Sequence, residues 1–180
     1  IEMAEEAQIL AANTLAYLGF PFDRTCEEVA KAGFEWIEPT FISRYLQTSA
    51  EKLFSRESAE SVGRSAHNAG LKVYAVSVHM DLGGEGAVSE FARRIEFAAR
   101  LGAQVVISNA STVHKETQFY RNLEVLIPIA EEHGLVIGLE NPGDGEGSLI
   151  PDAAAGVSIV ERFASGSLRL NFDVSNVYSY

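Results

Sequence analysis

A glycine recurs through this chain on a nearly fixed beat, and the beat restricts the fold more than any other feature. Gly33, Gly70, Gly102, Gly134 and Gly166 are separated by 37, 32, 32 and 32 residues. Their frames are alike: Lys-Ala-Gly-Phe, Asn-Ala-Gly-Leu, Arg-Leu-Gly-Ala, Glu-His-Gly-Leu and Ala-Ser-Gly-Ser. Glycine enters the left-handed conformation without a Cβ clash, so each position reads as a helix stop. Apolar residues before these glycines recur at three and four. Ala59, Val62, Ala66 and Ala69 do so, then Val88, Phe91, Ile95, Ala98 and Leu101, then Phe119, Leu123, Leu126, Ile127 and Ala130. Thr25 with Glu28 reads as a capping box for the first helix. Pro128 is expected to kink its helix or to start the last segment of it.

After each glycine comes a short apolar run, partly β-branched: Trp36-Ile37, Val73 to Val78, Val105 to Ile107, Leu135 to Leu139 and Leu168 to Phe172. Ile9 to Leu15 reads as a strand before them. Six strands with a helix between successive ones require a parallel sheet, since parallel neighbours need a long crossover. An open doubly wound sheet and a (β/α)8 TIM barrel both satisfy this. The constant repeat, and the absence of a glycine-rich phosphate loop after the first strand, favour the barrel. Eight such units need about 250 residues. The 180 residues hold about six, so strands 7 and 8 are expected to be missing from a single barrel domain truncated at its C-terminus.

Lys and Arg number 14 and Asp and Glu 25, a net charge of −11 without a like-charge block. Dispersed negative charge argues against a nucleic-acid backbone or an anionic membrane as partner. A single cysteine, Cys26, excludes an internal disulfide; it is placed at a helix start on the face away from the site and read as inert. No apolar stretch reaches the roughly 18 residues of a membrane helix, and the acidic opening Ile-Glu-Met-Ala-Glu-Glu is unlike a secretory signal. A soluble cytoplasmic protein is expected.

In both parallel architectures chemistry collects at the carboxyl ends of the strands. Those ends read Glu38, then His79 with Asp81, then Ser108-Asn109, then Glu140-Asn141, then Asp173 with Asn176 beyond. Each has an ordinary reading as a turn or helix-cap residue. Their convergence is what singles them out: carboxylates and an imidazole occupy equivalent positions of successive units. A carboxylate ending a buried strand stays charged only when paired or metal-bound. His67 and His133 fall in last helical turns, where the dipole favours them, and are read as structural. His114 is read as an exposed loop residue. The glycine-rich segments 83–86 and 143–147 are lids or plain connections, and neither continues into Gly-Lys-Ser/Thr.

The run from Gly134 through Glu140-Asn141-Pro142, followed by Leu170-Asn-Phe-Asp173-Val-Ser-Asn176, resembles the xylose isomerase-like barrels. That superfamily includes sugar isomerases and epimerases, inosose and dehydroshikimate dehydratases, and the endonuclease IV group. In its epimerase-type members one divalent ion is held by a Glu ending the fifth strand, an Asp ending the sixth, and a His and a Glu farther on. Glu140 and Asp173 match the first two; the others would lie beyond Tyr180. The resemblance implies one divalent metal ion, with Mn, Mg, Co and Zn all suited to oxygen ligands and an imidazole. It implies a sugar or polyol ketone as substrate and an enediolate formed by proton transfer beside a metal-polarised carbonyl. Glu140 would be ligand and acid/base, His79 would contact substrate oxygens, and Glu38, Asn109 and Asn176 would line the pocket.

A dehydratase on the same scaffold begins with the same proton removal, so these residues do not separate it from an isomerase. A carbohydrate-binding protein without turnover is the alternative from another class. Endonuclease IV enzymes place a His at the fourth strand end and three residues after the sixth-strand Asp. Here Ser108-Asn109 and Asn176 stand there, which argues against a trinuclear DNA-repair site. Relatives of this kind commonly form homo-oligomers; no feature of the sequence reports on that.

Overall fold

The structure, a computed structural model, describes residues 8–42, 46, 48–142 and 147–178. Segment 143–146, part of the second glycine-rich loop, lies outside the described residues. The strands are β1 (Ala11–Asn13), β2 (Trp36–Glu38), β3 (Lys72–Val73), β4 (Ala75–Ser77), β5 (Val105–Asn109), β6 (Val136–Glu140) and β7 (Leu168–Asn171). The helices are α1 (Phe22–Lys31), α2 (Ala50–Leu53), α3 (Arg56–Asn68), α4 (Ala87–Arg100), α5 (Glu116–Glu132), α6 (Ala153–Phe163) and α7 (Val174–Tyr178). Every strand pairing is parallel, and each strand pairs with its neighbours in sequence, β1-β2-β3 and β4-β5-β6-β7. A doubly wound sheet reverses its strand order at a switch point; this one does not, and the barrel expectation holds.

The expected third strand is split. Val73 pairs with Ile37 and Ser77 bridges Thr40, so four steps on one strand oppose three on the other. The extra residue makes a bulge at Tyr74, which breaks the ladder into β3 and β4. Main-chain bonds from Phe41 N to Ser77 O (2.8 Å) and from Gln104 N to Tyr74 O (2.8 Å) keep both sides joined across it.

One face of the strands is dry. Ile37, Val76, Val106, Ile137, Leu139 and Leu168 are fully buried against Phe91, Ile95, Phe119, Leu123 and Leu126 of the helices. Phe97 meets Phe41 and Phe54 edge-on, both at 5.4 Å between ring centroids. The other face borders a cavity of about 540 Å³ lined by Glu38, Tyr74, Val105, Ile107, Gly138 and Asn171 among others. The backbone at Gly138 is closely approached there: a Cβ would come 3.3 Å from Val105 Cγ1, a tight contact, and 3.5 Å from Asn171 Cβ.

Four of the five helix-stop glycines take positive φ: Gly33, Gly70, Gly102 and Gly134. The fifth expectation is corrected. Helix α6 ends on Ala164 in the left-handed region (φ 48°), two residues before Gly166. The capping box is also corrected. Helix α1 starts at Phe22 after Pro21, and Thr25 lies inside it, its hydroxyl donating to Pro21 O at 3.3 Å. Pro21 is the N-cap residue, in an extended conformation (φ −57°, ψ 141°) where its missing N–H breaks no helical bond, and the helix begins before the Thr–Glu pair. Strand β1 is shorter than the run Ile9 to Leu15, because Asn13 Oδ1 accepts from Leu15 N and turns the chain into a 3-10 helix. Helix α5 passes through Pro128 as one element. Cys26 is fully buried within α1, and burial, then Asp23, pushes its thiol up to about 11. Among the described residues no helix is long and apolar enough to cross a membrane.

Candidate active site

Parallel register aligns three side chains at the carboxyl ends of adjacent strands. Asn109 is paired with Glu140, and Glu140 with Asn171. Because the side-chain period of a strand is two, residues in register share a face. Asn171 Nδ2 donates to Glu140 Oε2 at 2.5 Å. On the other side, His79 Nδ1 lies 3.1 Å from Asn109 Oδ1, and its Nε2 lies 3.9 Å from Glu140 Oε1. An amide oxygen only accepts, so with this amide orientation Nδ1 carries the proton and Nε2 faces Glu140. Both side chains are well covered, His79 at 14% and Glu140 at 16% exposure.

Burial pushes the Glu140 carboxyl up to about 7, and the charges of Asp173 and Glu38 push the same way; the bond from Asn171 opposes them. Glu38 is held differently. Its Oε1 accepts from Asn13 Nδ2 and Ser77 Oγ, each at 2.6 Å, and Thr40 Oγ1 fixes Asn13 by donating to its Oδ1 at 2.8 Å.

Asp173 is set by Asn141. The side chain of Asn141 donates to Asp173 O at 2.9 Å and accepts from Asp173 N at 2.8 Å, as another residue of the ladder would. One carboxylate oxygen of Asp173 accepts from Asn176 N at 3.1 Å, so it also caps α7. Asn176 Nδ2 donates to Asn141 O at 2.9 Å. Asn176 therefore belongs to the frame that holds Asp173. It borders a second, mainly apolar cavity of about 410 Å³ with Asn141, Ile150 and Phe172.

The strand-end rule thus brings Glu38, His79, Asn109, Glu140 and Asp173 to one mouth, with Asn176 behind them. Asp81 lies beside Asn109 on the rim of a smaller cavity. His133 bonds Ile129 O through Nδ1 at 2.9 Å and His114 is exposed in a short 3-10 helix, as expected. Sequence reasoning missed Asn13, Ser77 and Asn171. Asn13 ends the first strand and the same rule, applied there, would have found it. Asn171 lies inside an apolar run, and only its register with Glu140 reveals it.

Glu140 and Asp173 are hard oxygen donors in a field that disfavours ionisation of Glu140, which a divalent cation relieves. They suit such an ion as part of its ligand set. Among the described residues no group of three His, Cys, Asp or Glu side chains is close enough to hold one.

No curated protein sequence matches the chain. Solved structures share its fold at low identity. D-psicose 3-epimerase, solved in the presence of D-fructose, is 15% identical with a TM-score of 0.71, covering 93% of this chain and 64% of its own. The 3-keto-D-glucoside 4-epimerase YcjR from E. coli is 14% identical with a TM-score of 0.74, covering 96% and 70%. The "probable 3-DHS dehydratase AsbF" from Bacillus anthracis is 13% identical with a TM-score of 0.71, covering 95% and 65%. The chain thus spans about two thirds of the length of these relatives. The model of the xylose isomerase-like TIM barrel family matches residues 26–180. The sequence repeat, the parallel barrel order and this match agree: the chain belongs to the xylose isomerase-like TIM barrel family.

Proposed function

We propose that this chain carries the first part of the active site of a metal-dependent isomerase or epimerase acting on a sugar or related polyol ketone. The observation that carries the reading is Glu140. It is mostly covered, aligned between Asn109 and Asn171, faces His79, and is pushed up to about 7. A carboxyl group in that range takes and returns a proton near neutral pH. Glu140 removes the proton beside the substrate carbonyl, and His79, oriented by Asn109, hydrogen-bonds the substrate oxygen next to it. Glu38, held by Asn13 and Ser77, accepts from a substrate hydroxyl. Glu140 and Asp173 would hold one divalent ion (Mn, Mg, Co or Zn), with further donors from the part of the barrel that the longer relatives have in addition. When bound, the ion supplies Lewis-acid polarisation of the carbonyl. The partner is a small sugar or polyol, with neither nucleic acid nor membrane involved, and the place of action is the cytoplasm.

A dehydratase would start with the same proton removal and then expel a β-hydroxyl. The likeness to AsbF keeps it as the second reading.

The test uses the full-length protein, wild type beside Glu140→Gln and Asp173→Asn. About one divalent ion per chain, lost in both variants together with deuterium exchange beside the carbonyl of ketoses in D2O, is the expected result. Wild-type protein that takes up no ion after incubation with Mn²⁺ and exchanges no ketose would sink the reading. Accumulation of an unsaturated product would move the dehydratase ahead.

A further inference from the structure

The loops after β4, β5 and β6 are tied to each other beside the candidate site. Leu82 N donates to Ala110 O (2.9 Å), Val113 N to Gly147 O (2.8 Å) and Leu149 N to Ser111 O (2.9 Å). Thr112 and Ser148 form an antiparallel bridge. Asp81 stands where these loops cross. Its Oδ1 accepts from Gly83 N at 3.0 Å and Ser111 Oγ at 2.6 Å, and its Oδ2 from Lys115 Nζ. The crossing is tight: a Cβ on Gly83 would come 2.3 Å from Ser111 Oγ and 2.9 Å from Lys115 Cβ. Burial raises the Asp81 pKa, but the bonds from Lys115, Ser111 and Gly83 outweigh it and hold the carboxyl below its usual range.

These loops border a half-open cavity of about 210 Å³ whose polar lining, among the described residues, is Asp81, Asn109, Ser111, Thr112 and Ser148. At about 30 Å³ per water it has room for roughly seven water-sized groups, a length of three or four hydroxylated carbons. Asn109 is shared: it walls this cavity and holds His79.

We propose that this cavity is a subsite for the hydroxylated tail of a neutral sugar or polyol, and that Asp81 is its specificity-determining residue. The inference rests on the sugar-ketone reading above and extends it to the carbons that do not react. The lining offers a carboxylate, an amide and three hydroxyls, groups that pair with hydroxyls. Asp81 is 40% exposed. It uses three of about four lone-pair sites, so it accepts a further bond from a sugar hydroxyl, strengthened by its charge. Among the described residues no lysine or arginine lines the cavity, and the nearby Lys115 is already paired with Asp81. A phosphorylated tail would meet the carboxylate without a free cation to offset it. The bonds among residues 81–83, 110–115 and 147–149 hold this part of the rim in place before binding, which limits the ordering cost.

The experiment uses the full-length protein, with D-fructose, D-fructose 6-phosphate and dihydroxyacetone as probes. Binding is read by ligand-observed NMR and reaction by deuterium exchange beside the carbonyl. Wild type is expected to bind fructose at least tenfold more tightly than its phosphate. Asp81→Asn is expected to weaken fructose about tenfold more than dihydroxyacetone, which is too short to reach the cavity, and to narrow the preference against phosphate. Thr112→Val, which leaves the clasp intact, is expected to act in the same direction with a smaller effect, and carries the test if Asp81→Asn does not fold. Phosphate binding as tight as fructose in wild type, equal losses for the long and short probes, or no binding of either hexose would overturn the proposal. Length-selective binding without deuterium exchange would support the subsite while removing the isomerase reading.

Discussion

Asn171 donates its side-chain amide to Glu140 Oε2 from the residue directly opposite on the neighbouring strand. The bond opposes the burial and the neighbouring charges that raise the Glu140 carboxyl. Asn171→Ala is therefore expected to move the Glu140 midpoint above about 7, read by carbon NMR of the labelled carboxyl. A midpoint that stays in place would show that the bond does not tune this group.

Glu140 also predicts how stability depends on pH in the metal-free protein. Its ordinary value is 4.5 and in the fold it reaches about 7. Between these values the folded chain binds more protons than the unfolded chain, so stability falls as pH rises. The contribution is present in full below about 4.5 and is lost as pH climbs through about 7. Urea unfolding across this window is expected to show the decline in wild type and a flatter profile in Glu140→Gln. Saturating divalent ion is expected to reverse the trend, because binding needs the carboxylate.

Asn141 holds Asp173 through two side-chain to main-chain bonds. Asn141→Ala is expected to cost about 1–3 kcal/mol in urea unfolding, the range for losing a pair of such bonds. It is also expected to weaken divalent-ion binding in the full-length protein about tenfold, by releasing Asp173. Unchanged ion affinity would separate Asp173 from the metal site.

Phe97 fills the core between α4 and the loop residues Phe41 and Phe54, and is 1% exposed. Phe97→Ala is expected to destabilise by about 3–5 kcal/mol, measured by chemical unfolding. A loss under about 1 kcal/mol would mean that the aromatic cluster repacks into the space.

Cys26, buried in α1 with its thiol raised to about 11, is expected to resist thiol reagents in the native state. Its labelling rate should follow global unfolding as urea is added. Rapid labelling in buffer would show that α1 opens locally.

Much of this was legible before the structure. That Glu38, His79, Asn109, Glu140 and Asp173 lie at strand ends is legible because in a parallel repeat each apolar run ends at the same rim. Where reading failed, a distant or competing interaction had changed a local rule. Pro21 starts α1 before the Thr25–Glu28 pair, Asn13 turns the first strand early, and Ala164 takes the turn expected of Gly166.

The sequence by itself determined the alternation of strand and helix, four of the five helix stops and the rim that carries polar side chains. Those properties rest on period, backbone preference and phase, which are local to each unit. Tertiary structure decided which side chains face one another. It set Asn171 against Glu140, Asn13 and Ser77 against Glu38, and Asp81 at the crossing of its loops. It also placed the bulge at Tyr74 and moved the Glu140 proton affinity toward neutrality. Register, burial and field arise here from residues 25 or more apart in the chain, and a local pattern has no means of recording them.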